Sequence, residues 1–121
     1  MLEYVIIGGG QAGLSMAYQL TKADKSFLIV DSGTKIGGSW LNRWDSLKLF
    51  TPTEYNHLPG YKFDTPKGYY PNKFEVANYF KEYAAYYNLP IKFNTLINAV
   101  CKNEKGAFTI SHKDGEIETK N

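Results

Sequence analysis

The sequence of 121 residues predicts an α/β protein in which a parallel sheet is followed by an antiparallel β-meander. Two observations predict the parallel part: an apolar strand pattern that passes through a glycine-rich turn into a helical pattern, and a second strand pattern directly after that helix. A third observation predicts the meander, because three strand-like runs near the carboxyl end are separated by hairpin turns. The length suits one domain with one core.

Glycines join the first strand to the first helix. The run from Tyr4 to Ile7 predicts a strand, and the run from Gln11 to about Lys22 predicts a helix. Gly8, Gly10 and Gly13 fit the pattern G-x-G-x-x-G, which allows a tight turn, the approach of a pyrophosphate to the backbone and close packing of helix on strand. Because the first N–H groups of a helix lack partners, this turn predicts a dinucleotide site.

The second strand supplies the acidic partner of such a site. Residues 26–30 predict a strand that ends in Asp31, about twenty residues after the glycines, where a carboxylate reaches the ribose hydroxyls of a dinucleotide. The alternative for Asp31 is a solvated residue that opens a turn. We expect Ala12, Met16 and Leu20 to form the buried face of the intervening helix. Together these elements predict a Rossmann-like βαβ unit.

The middle of the chain predicts mostly irregular structure. From Gly33 we expect a loop, in which Gly37-Gly38-Ser39-Trp40 taken alone indicates a turn followed by a core tryptophan. The alternating middle of residues 43–52 predicts a short strand that is ended by Pro52. Residues 53–70 are rich in proline, glycine and tyrosine, and predict an ordered loop that lies over another part of the molecule.

A second long helix and the remaining strands follow. Asn72 and Glu75 predict a helix that begins with a capping box, and Asn88-Leu89-Pro90 ends it. Its apolar face, which we expect to pack on the sheet, comprises Val76, Phe80, Tyr83 and Tyr87. Residues 91–93 predict a third parallel strand, and residues 96–102, 107–112 and 116–120 predict the meander.

Composition and charge exclude several classes of function. The net charge is +2 and the lysines are scattered, so we expect neither nucleic acid nor an anionic membrane as a partner. The single cysteine, Cys101, rules out an internal disulfide, and with two histidines it makes a metal site improbable, so no metal is expected. No signal peptide or apolar span is visible, and we expect a cytoplasmic protein.

The order of these motifs resembles that of the flavin-containing monooxygenases and their Baeyer-Villiger relatives, in the amino-terminal part of those proteins. The resemblance covers nearly the whole chain. It is carried by the first glycine motif, Asp31, Gly37-Gly38-Ser39-Trp40, Asp45-Ser46-Leu47-Lys48-Leu49 with Thr51-Pro52, Leu58-Pro59-Gly60, and Tyr70-Pro71 before a helix.

The resemblance implies a set of FAD-binding residues. Those around the pyrophosphate and the adenosine ribose are Gly8, Gly10, Gln11, Ala12, Gly13, Asp31 and Ser32. Gly38, Ser39 and Trp40 approach the flavin half of the cofactor, and the backbone of Ile97 meets the adenine. Flavin disulfide reductases carry a redox cysteine where this chain has Trp40, so dithiol chemistry is not expected at this stretch.

The implied activity is that of the whole family. Its members reduce FAD with NADPH and transfer one oxygen atom to a nitrogen, sulfur or ketone substrate, and the cofactor carries the difficult chemistry. No catalytic residue is assigned, and His57 and Asp45 are better explained as solvated loop residues than as groups that face the flavin.

The resemblance also bears on domain organisation. Residues 1–121 correspond to an incomplete FAD-binding domain without the family's NADPH-binding domain, so NADPH is expected only for a full-length member. Since the first strand of a doubly wound sheet is central, we expect its uncovered edge to favour self-association. The alternatives are a truncated nucleotide-binding or interaction module without activity and, more weakly, an NAD-dependent dehydrogenase domain.

Overall fold

A computed structural model describes residues 1–121. The architecture is the predicted α/β fold, with one parallel and one antiparallel sheet of three strands each. In chain order the elements are β1 (Tyr4–Ile7), α1 (Gln11–Lys22), β2 (Phe27–Val30), α2 (Gly38–Leu41), a 3-10 turn (Thr53–Tyr55), α3 (Lys73–Tyr86), β3 (Ile91–Lys92), β4 (Ile97–Lys102), β5 (Phe108–His112) and β6 (Gly115–Thr119). No helix is both long and apolar enough to cross a membrane.

The parallel sheet has the order β1-β2-β3. Tyr4 lies opposite Phe27 in the β1–β2 pair, and Ile29 lies opposite Ile91 in the β2–β3 pair. The central strand β2 ends in Ile29 and Val30, which are fully buried. These pairings confirm the predicted βαβ unit. The continuous apolar run of β2 agrees with its central place in the sheet, where both faces are covered.

The α1 helix has the predicted bounds, but its buried face differs from the predicted one. The buried residues are Gly13, Leu14, Ala17 and Leu20, whereas Ala12 is exposed and Met16 is 52% exposed. The prediction of Ala12 and Met16 on the buried face was therefore wrong. Close packing of Gly13 on the turn fixes the rotation of the helix, and neighbours one position away along a helix point about 100° aside.

The α3 helix begins at the predicted capping box. The Asn72 side chain accepts a hydrogen bond from the Glu75 N–H at 2.9 Å, and the Glu75 carboxylate accepts one from the Asn72 N–H at 3.1 Å. The helix lies against α1 and α2, and its buried side chains share one core with Ile29 of the sheet. Its buried face joins one core, which comprises Leu14, Ala17, Ile29, Phe63, Val76, Tyr79, Phe80, Tyr83 and Ala84.

Two predictions for the middle of the chain were wrong in detail. Residues 47–50 do not form a strand, and Lys48 makes only an isolated antiparallel bridge with Asn72. Because Asn72 caps α3, the partner segment turns into a helix at once and the ladder stops. The stretch predicted as loop from Gly33 contains the short helix α2. The ordered loop at residues 53–70 is present, with the 3-10 turn at its start.

The meander follows the predicted order β4-β5-β6 and closes on the start of the chain. Thr119 forms a parallel bridge with Leu2, and the Val5 N–H donates to the Asn121 carbonyl at 3.1 Å. As expected, β1 lies at the edge of the sheet in this chain, but residues 119–121 line the first half of that edge, which was expected to be uncovered. At the other end of β1, Ile7 remains 55% exposed.

Candidate functional site

The glycine turn after β1 is held by backbone contacts. Gly8 has a φ of +105°, which a residue with a side chain rarely adopts, and its N–H donates to the Val30 carbonyl at 2.8 Å. A β carbon on Gly13 would lie 1.9 Å from the Gly8 carbonyl oxygen. Gly8 and Gly13 therefore act within the protein itself, as turn and packing residues, and both roles agree with the sequence interpretation.

The amino end of α1 presents unpaired donors. Gly10 is the N-cap residue in an extended conformation, without a side-chain cap, and the first turn of the helix contains no acidic residue. The first intrahelical bond runs from the Leu14 N–H to the Gly10 carbonyl at 2.9 Å, so the N–H groups before Leu14 lack intrahelical partners. A β carbon on Gly10 would meet nothing within 4 Å. The helix end therefore has the donors, the dipole and the open approach that a phosphate needs.

Asp31 links the glycine turn to the loop after β2. Its carboxylate accepts hydrogen bonds from the Gly9 N–H and from the Gly33 N–H, each at 2.7 Å. Its carbonyl accepts from the Thr95 N–H at 2.9 Å. Each carboxylate oxygen has a second lone pair, so the side chain can also accept hydroxyl donors from a ligand. Sequence reasoning found the carboxylate but missed Gly9 and Gly33, because their backbone donors carry no side-chain signal.

These segments enclose a cleft of about 470 Å³. Three parts of the chain line it: the glycine turn, the loop after β2, and α2 with the residues around it. Of the predicted site residues the cleft brings together Gly10, Asp31, Ser32, Gly38 and Ser39, and it adds Gly9, Gly33, Thr34, Lys35, Gly37, Leu41, Asn42 and Phe80. The lining is mostly polar or glycine, as suits a phosphate and a ribose.

A second cavity of about 300 Å³ adjoins the cleft across Phe80, which lines both. Its walls are mostly apolar. The predicted residues Gln11 and Trp40 lie here rather than in the cleft, together with Leu49, Tyr55, Asn56, His57, Leu58, Phe63, Val76 and Phe80. Most drug-sized ligands bind in such apolar cavities with few polar groups.

Apart from the packing glycines Gly8 and Gly13, two predicted site residues line neither cavity. Ala12 is exposed on α1, in the first turn of the helix. Ile97 opens β4, two residues after Thr95, whose N–H donates to the Asp31 carbonyl at 2.9 Å. Ile97 is thus tied to the Asp31 loop by the chain itself, but it is outside the walls of both cavities.

The α2 helix is positioned by a close approach to α3. Gly37 has a φ of +76°, and a β carbon on it would lie 2.7 Å from the Cα of Ala77. Only a residue without a side chain fits both the dihedral angle and the space. Gly37 therefore lets α2, with Gly38, Ser39 and Trp40, lie directly on α3.

A buried lysine fixes the far end of α2. Lys73 is 4% exposed, and its Nζ donates to the carbonyls of Leu41 at 3.1 Å and Arg43 at 2.7 Å. It also contacts the Asp45 carboxylate at 3.2 Å, although Asp45 itself is fully exposed. Sequence reasoning missed Lys73, since a lysine in the first turn of a helix is ordinarily a solvated residue.

Two tyrosines of α3, together with Tyr87 directly after the helix, hold the loop that forms one wall of the second cavity. The Tyr79 hydroxyl accepts from the Leu58 N–H at 2.8 Å and donates to the Tyr61 carbonyl, while the Tyr83 hydroxyl donates to the Pro59 carbonyl at 2.6 Å. The Tyr87 hydroxyl donates to the Gly60 carbonyl. Burial raises the pKa of Tyr79 and of Tyr83 above the usual value of a phenol. The tyrosine-rich segment predicted by the sequence is thus a packing device between helix and loop.

Comparison with known proteins places this geometry in a family. The family profile described as pyridine nucleotide-disulphide oxidoreductase matches residues 5–121. The uncharacterized oxidoreductase CzcO of Bacillus velezensis is 40% identical over all of this chain, which covers 35% of that protein.

Solved structures agree. The flavin-containing monooxygenase from Stenotrophomonas maltophilia superimposes with a TM-score of 0.92 at 32% identity, covering 98% of this chain and 36% of that one. OTEMO, solved in complex with FAD and NADP, shares the fold with a TM-score of 0.80 at 20% identity, covering 98% of this chain and 24% of OTEMO. The chain spans about a third of the length of the first two relatives.

Of the relatives described above, the two that share 30% identity or more carry the names of an oxidoreductase and of a flavin-containing monooxygenase. The family name refers to disulphides, but the one cysteine of this chain, Cys101, is exposed on β4 and lies outside the walls of both cavities. With the glycine turn, Asp31 and the matched family profile in agreement, the chain belongs to the pyridine nucleotide-disulphide oxidoreductase family.

Proposed function

We propose that residues 1–121 are part of the FAD-binding domain of a flavin-dependent monooxygenase that uses NADPH and transfers oxygen to a nitrogen, sulfur or ketone substrate. The observation that carries the proposal is the Asp31 carboxylate, which bridges Gly9 and Gly33 beside the open amino end of α1. NADPH is then bound by another part of the whole protein, which lies in the cytoplasm.

The cleft fits the adenosine and pyrophosphate half of FAD. The N–H groups at the start of α1 face the phosphates, and the open space at Gly10 leaves room for close approach. Asp31 accepts hydrogen bonds from the ribose hydroxyls with the lone pairs that Gly9 and Gly33 leave free. Ser39 lies in the same cleft and offers a hydroxyl donor to the pyrophosphate.

The apolar cavity fits the flavin half. It adjoins the cleft, and Gln11 and Trp40 belong to the segments that form both spaces. The guanidinium of Arg43 lies 5.1 Å from the Trp40 ring and helps to hold the indole in place. Bound FAD supplies the redox and oxygen chemistry. The residues of this chain bind the cofactor, orient its ring and keep water from it.

The test is a titration of the 121-residue chain with FAD, NAD and NADP in parallel, followed by flavin fluorescence and by quenching of tryptophan fluorescence. We expect FAD to bind most tightly. Gly10→Val places methyl groups where the pyrophosphate approaches, and Asp31→Ala removes the ribose acceptor, so each variant should bind FAD at least tenfold more weakly. Ala99→Val on the exposed face of β4 is the matched control and should bind FAD as the parent chain does.

Each other result identifies another function. Preferential binding of NAD would point to a dehydrogenase domain and would contradict the monooxygenase proposal. Failure of all three nucleotides to bind would favour an interaction module without enzymatic activity. Equal loss of binding in Gly10→Val and Ala99→Val would show that the cleft is not the binding site.

Self-association through the outer edge of β1 is a further part of the proposal. Ile7 is 55% exposed at the end of β1, beyond the stretch that residues 119–121 line. An uncovered apolar strand end favours pairing with a second copy. Light scattering should show a mass that rises with concentration, and Ile7→Lys should abolish the rise. A constant monomer mass for the parent chain would contradict it.

A further inference from the structure

His57 lines the apolar cavity, and one of its two ring nitrogens has no hydrogen-bond partner within the protein. The Asn56 side-chain amide lines the same cavity, but it is engaged with Thr51, because its Nδ2 donates to the Thr51 carbonyl at 2.7 Å and its Oδ1 accepts from the Thr51 hydroxyl. The His57 Nδ1 accepts from the Phe63 N–H at 2.9 Å. The His57 Nε2 makes no hydrogen bond within the protein.

The bond from Phe63 decides which nitrogen of His57 carries the proton. A neutral imidazole has one donor and one acceptor nitrogen, and Nδ1 is the acceptor here. The proton is therefore on Nε2. A half-buried side chain with a free N–H, in a cavity lined mostly by apolar groups, is a directed hydrogen-bond donor for a ligand.

The backbone on both sides of His57 is tied down. The Asn56 N–H donates to the Thr53 carbonyl at 3.0 Å, and the Leu58 N–H donates to the Tyr79 hydroxyl at 2.8 Å. The imidazole also packs against the Phe63 ring, with 6.2 Å between the ring centroids. Because the donor is held in advance, little conformational entropy is lost when it meets an acceptor.

We infer that His57 donates a hydrogen bond from Nε2–H to an acceptor atom on the flavin ring, and that it thereby selects a flavin over other groups that could enter the apolar cavity. The inference rests on the proposed function, since it requires FAD with its ring in this cavity. An isoalloxazine ring carries carbonyl oxygens and ring nitrogens as acceptors along one edge, whereas a purely apolar group would leave this donor unsatisfied.

Two variants of His57 test its donor nitrogen and its acceptor nitrogen separately. In His57→Asn the amide oxygen replaces Nδ1 as acceptor for the Phe63 N–H, and the donor at the position of Nε2 is lost. In His57→Gln the longer amide places an N–H near the position of Nε2, and the acceptor for Phe63 is lost. Each variant is titrated with FAD, which reaches both cavities, and with ADP, which reaches only the cleft. The melting temperature of each variant is also measured without ligand.

We expect His57→Asn to bind FAD about three- to tenfold more weakly, the loss of one hydrogen bond, with ADP affinity and melting temperature close to those of the parent chain. His57→Gln should melt at a lower temperature and retain more FAD affinity than His57→Asn. Unchanged FAD affinity in His57→Asn, or equal weakening of FAD and ADP, would overturn the role of His57 while leaving the proposed function standing.

Titration of the parent chain with ADP and with FAD distinguishes failure of the His57 inference from failure of the proposed function. If it binds ADP but gains no affinity from the flavin half of FAD, the assignment of the apolar cavity and the role of His57 both fail. If it binds neither ADP nor FAD, the proposed function fails for this chain and the inference fails with it.

Discussion

The Gly8 carbonyl oxygen and the Cα of Gly13 face each other across the glycine turn with no room for a side chain between them, since a β carbon on Gly13 would lie 1.9 Å from that oxygen. The contact is between two backbones, so neither partner can rotate away as a side chain would. It sets both the distance and the rotation of α1 relative to β1.

Gly13→Ala should therefore destabilise the fold strongly. The methyl group forces α1 away from β1, and overpacking of this kind costs about 1–3 kcal/mol or more. Gly38→Ala is the matched control, because a β carbon there would meet only the Lys35 side chain, at 4.0 Å, and its stability should change little. Urea unfolding of the two variants measures the difference, and equal stabilities would contradict the packing role of Gly13.

Asp31→Asn should destabilise the loops around the cleft even without a ligand. Both carboxylate oxygens accept backbone N–H groups, and an amide would turn its NH₂ toward either Gly9 or Gly33. A donor in a buried or half-buried residue then lacks an acceptor, which costs about 1–3 kcal/mol. Asp114→Asn in the exposed β5–β6 turn should change stability by less than about 0.5 kcal/mol. The free energy of unfolding of both variants is measured in urea. An Asp31→Asn variant as stable as the parent chain would refute the bridging role of Asp31.

Lys73→Met should loosen α2 without changing the volume of the side chain greatly. It leaves the carbonyls of Leu41 and Arg43 without their donor, and we expect a loss of about 1–3 kcal/mol in the free energy of unfolding. Lys81→Met, on an exposed position of the same helix, is the control and should be nearly neutral. The result that contradicts this account is an unfolding curve of Lys73→Met that coincides with the control.

Alkaline pH should destabilise the protein through Tyr83. Burial raises the pKa of this phenol in the folded state above its usual value of 10.0. The folded state therefore keeps the proton where the unfolded state releases it, so the stability is complete below about pH 10 and falls as the pH rises further.

The matched variants are Tyr83→Phe and Tyr55→Phe. Tyr83→Phe loses the bond to the Pro59 carbonyl and should be about 0.5–1.5 kcal/mol less stable at pH 8, but the gap should narrow at pH 11, where only the parent chain loses stability through this residue. Tyr55 is 76% exposed, and its variant should follow the parent chain at both pH values. A gap that stays constant between pH 8 and pH 11 would show that Tyr83 is not the group responsible.

Local rules account for the elements that the sequence predicted correctly. The bounds of α1 follow from the glycine turn, the start of α3 from the reciprocal Asn72–Glu75 bonds, and the meander from its hairpin turns. Each depends on residues a few positions apart, so a single sequence contains the signal. The association of the glycine turn with Asp31 was predicted for the same reason, because glycine spacing and an acidic residue at a strand end are local features.

Contacts between distant residues explain the predictions that failed. The rotation of α1 depends on Gly13 meeting Gly8, the short α2 helix depends on Gly37 meeting Ala77 and on Lys73, and the strand expected at residues 47–50 stops because its partner begins a helix. The edge of β1 meets residues 119–121 from the other end of the chain. None of these leaves a periodic or compositional trace.

The bridge between Leu2 and Thr119 brings the two ends of the segment side by side. The bridge ties the antiparallel sheet to the edge of the parallel one, through strands that are more than a hundred residues apart in the chain. The meander and the βαβ unit therefore hold each other in place, and unpairing β6 should also loosen β1.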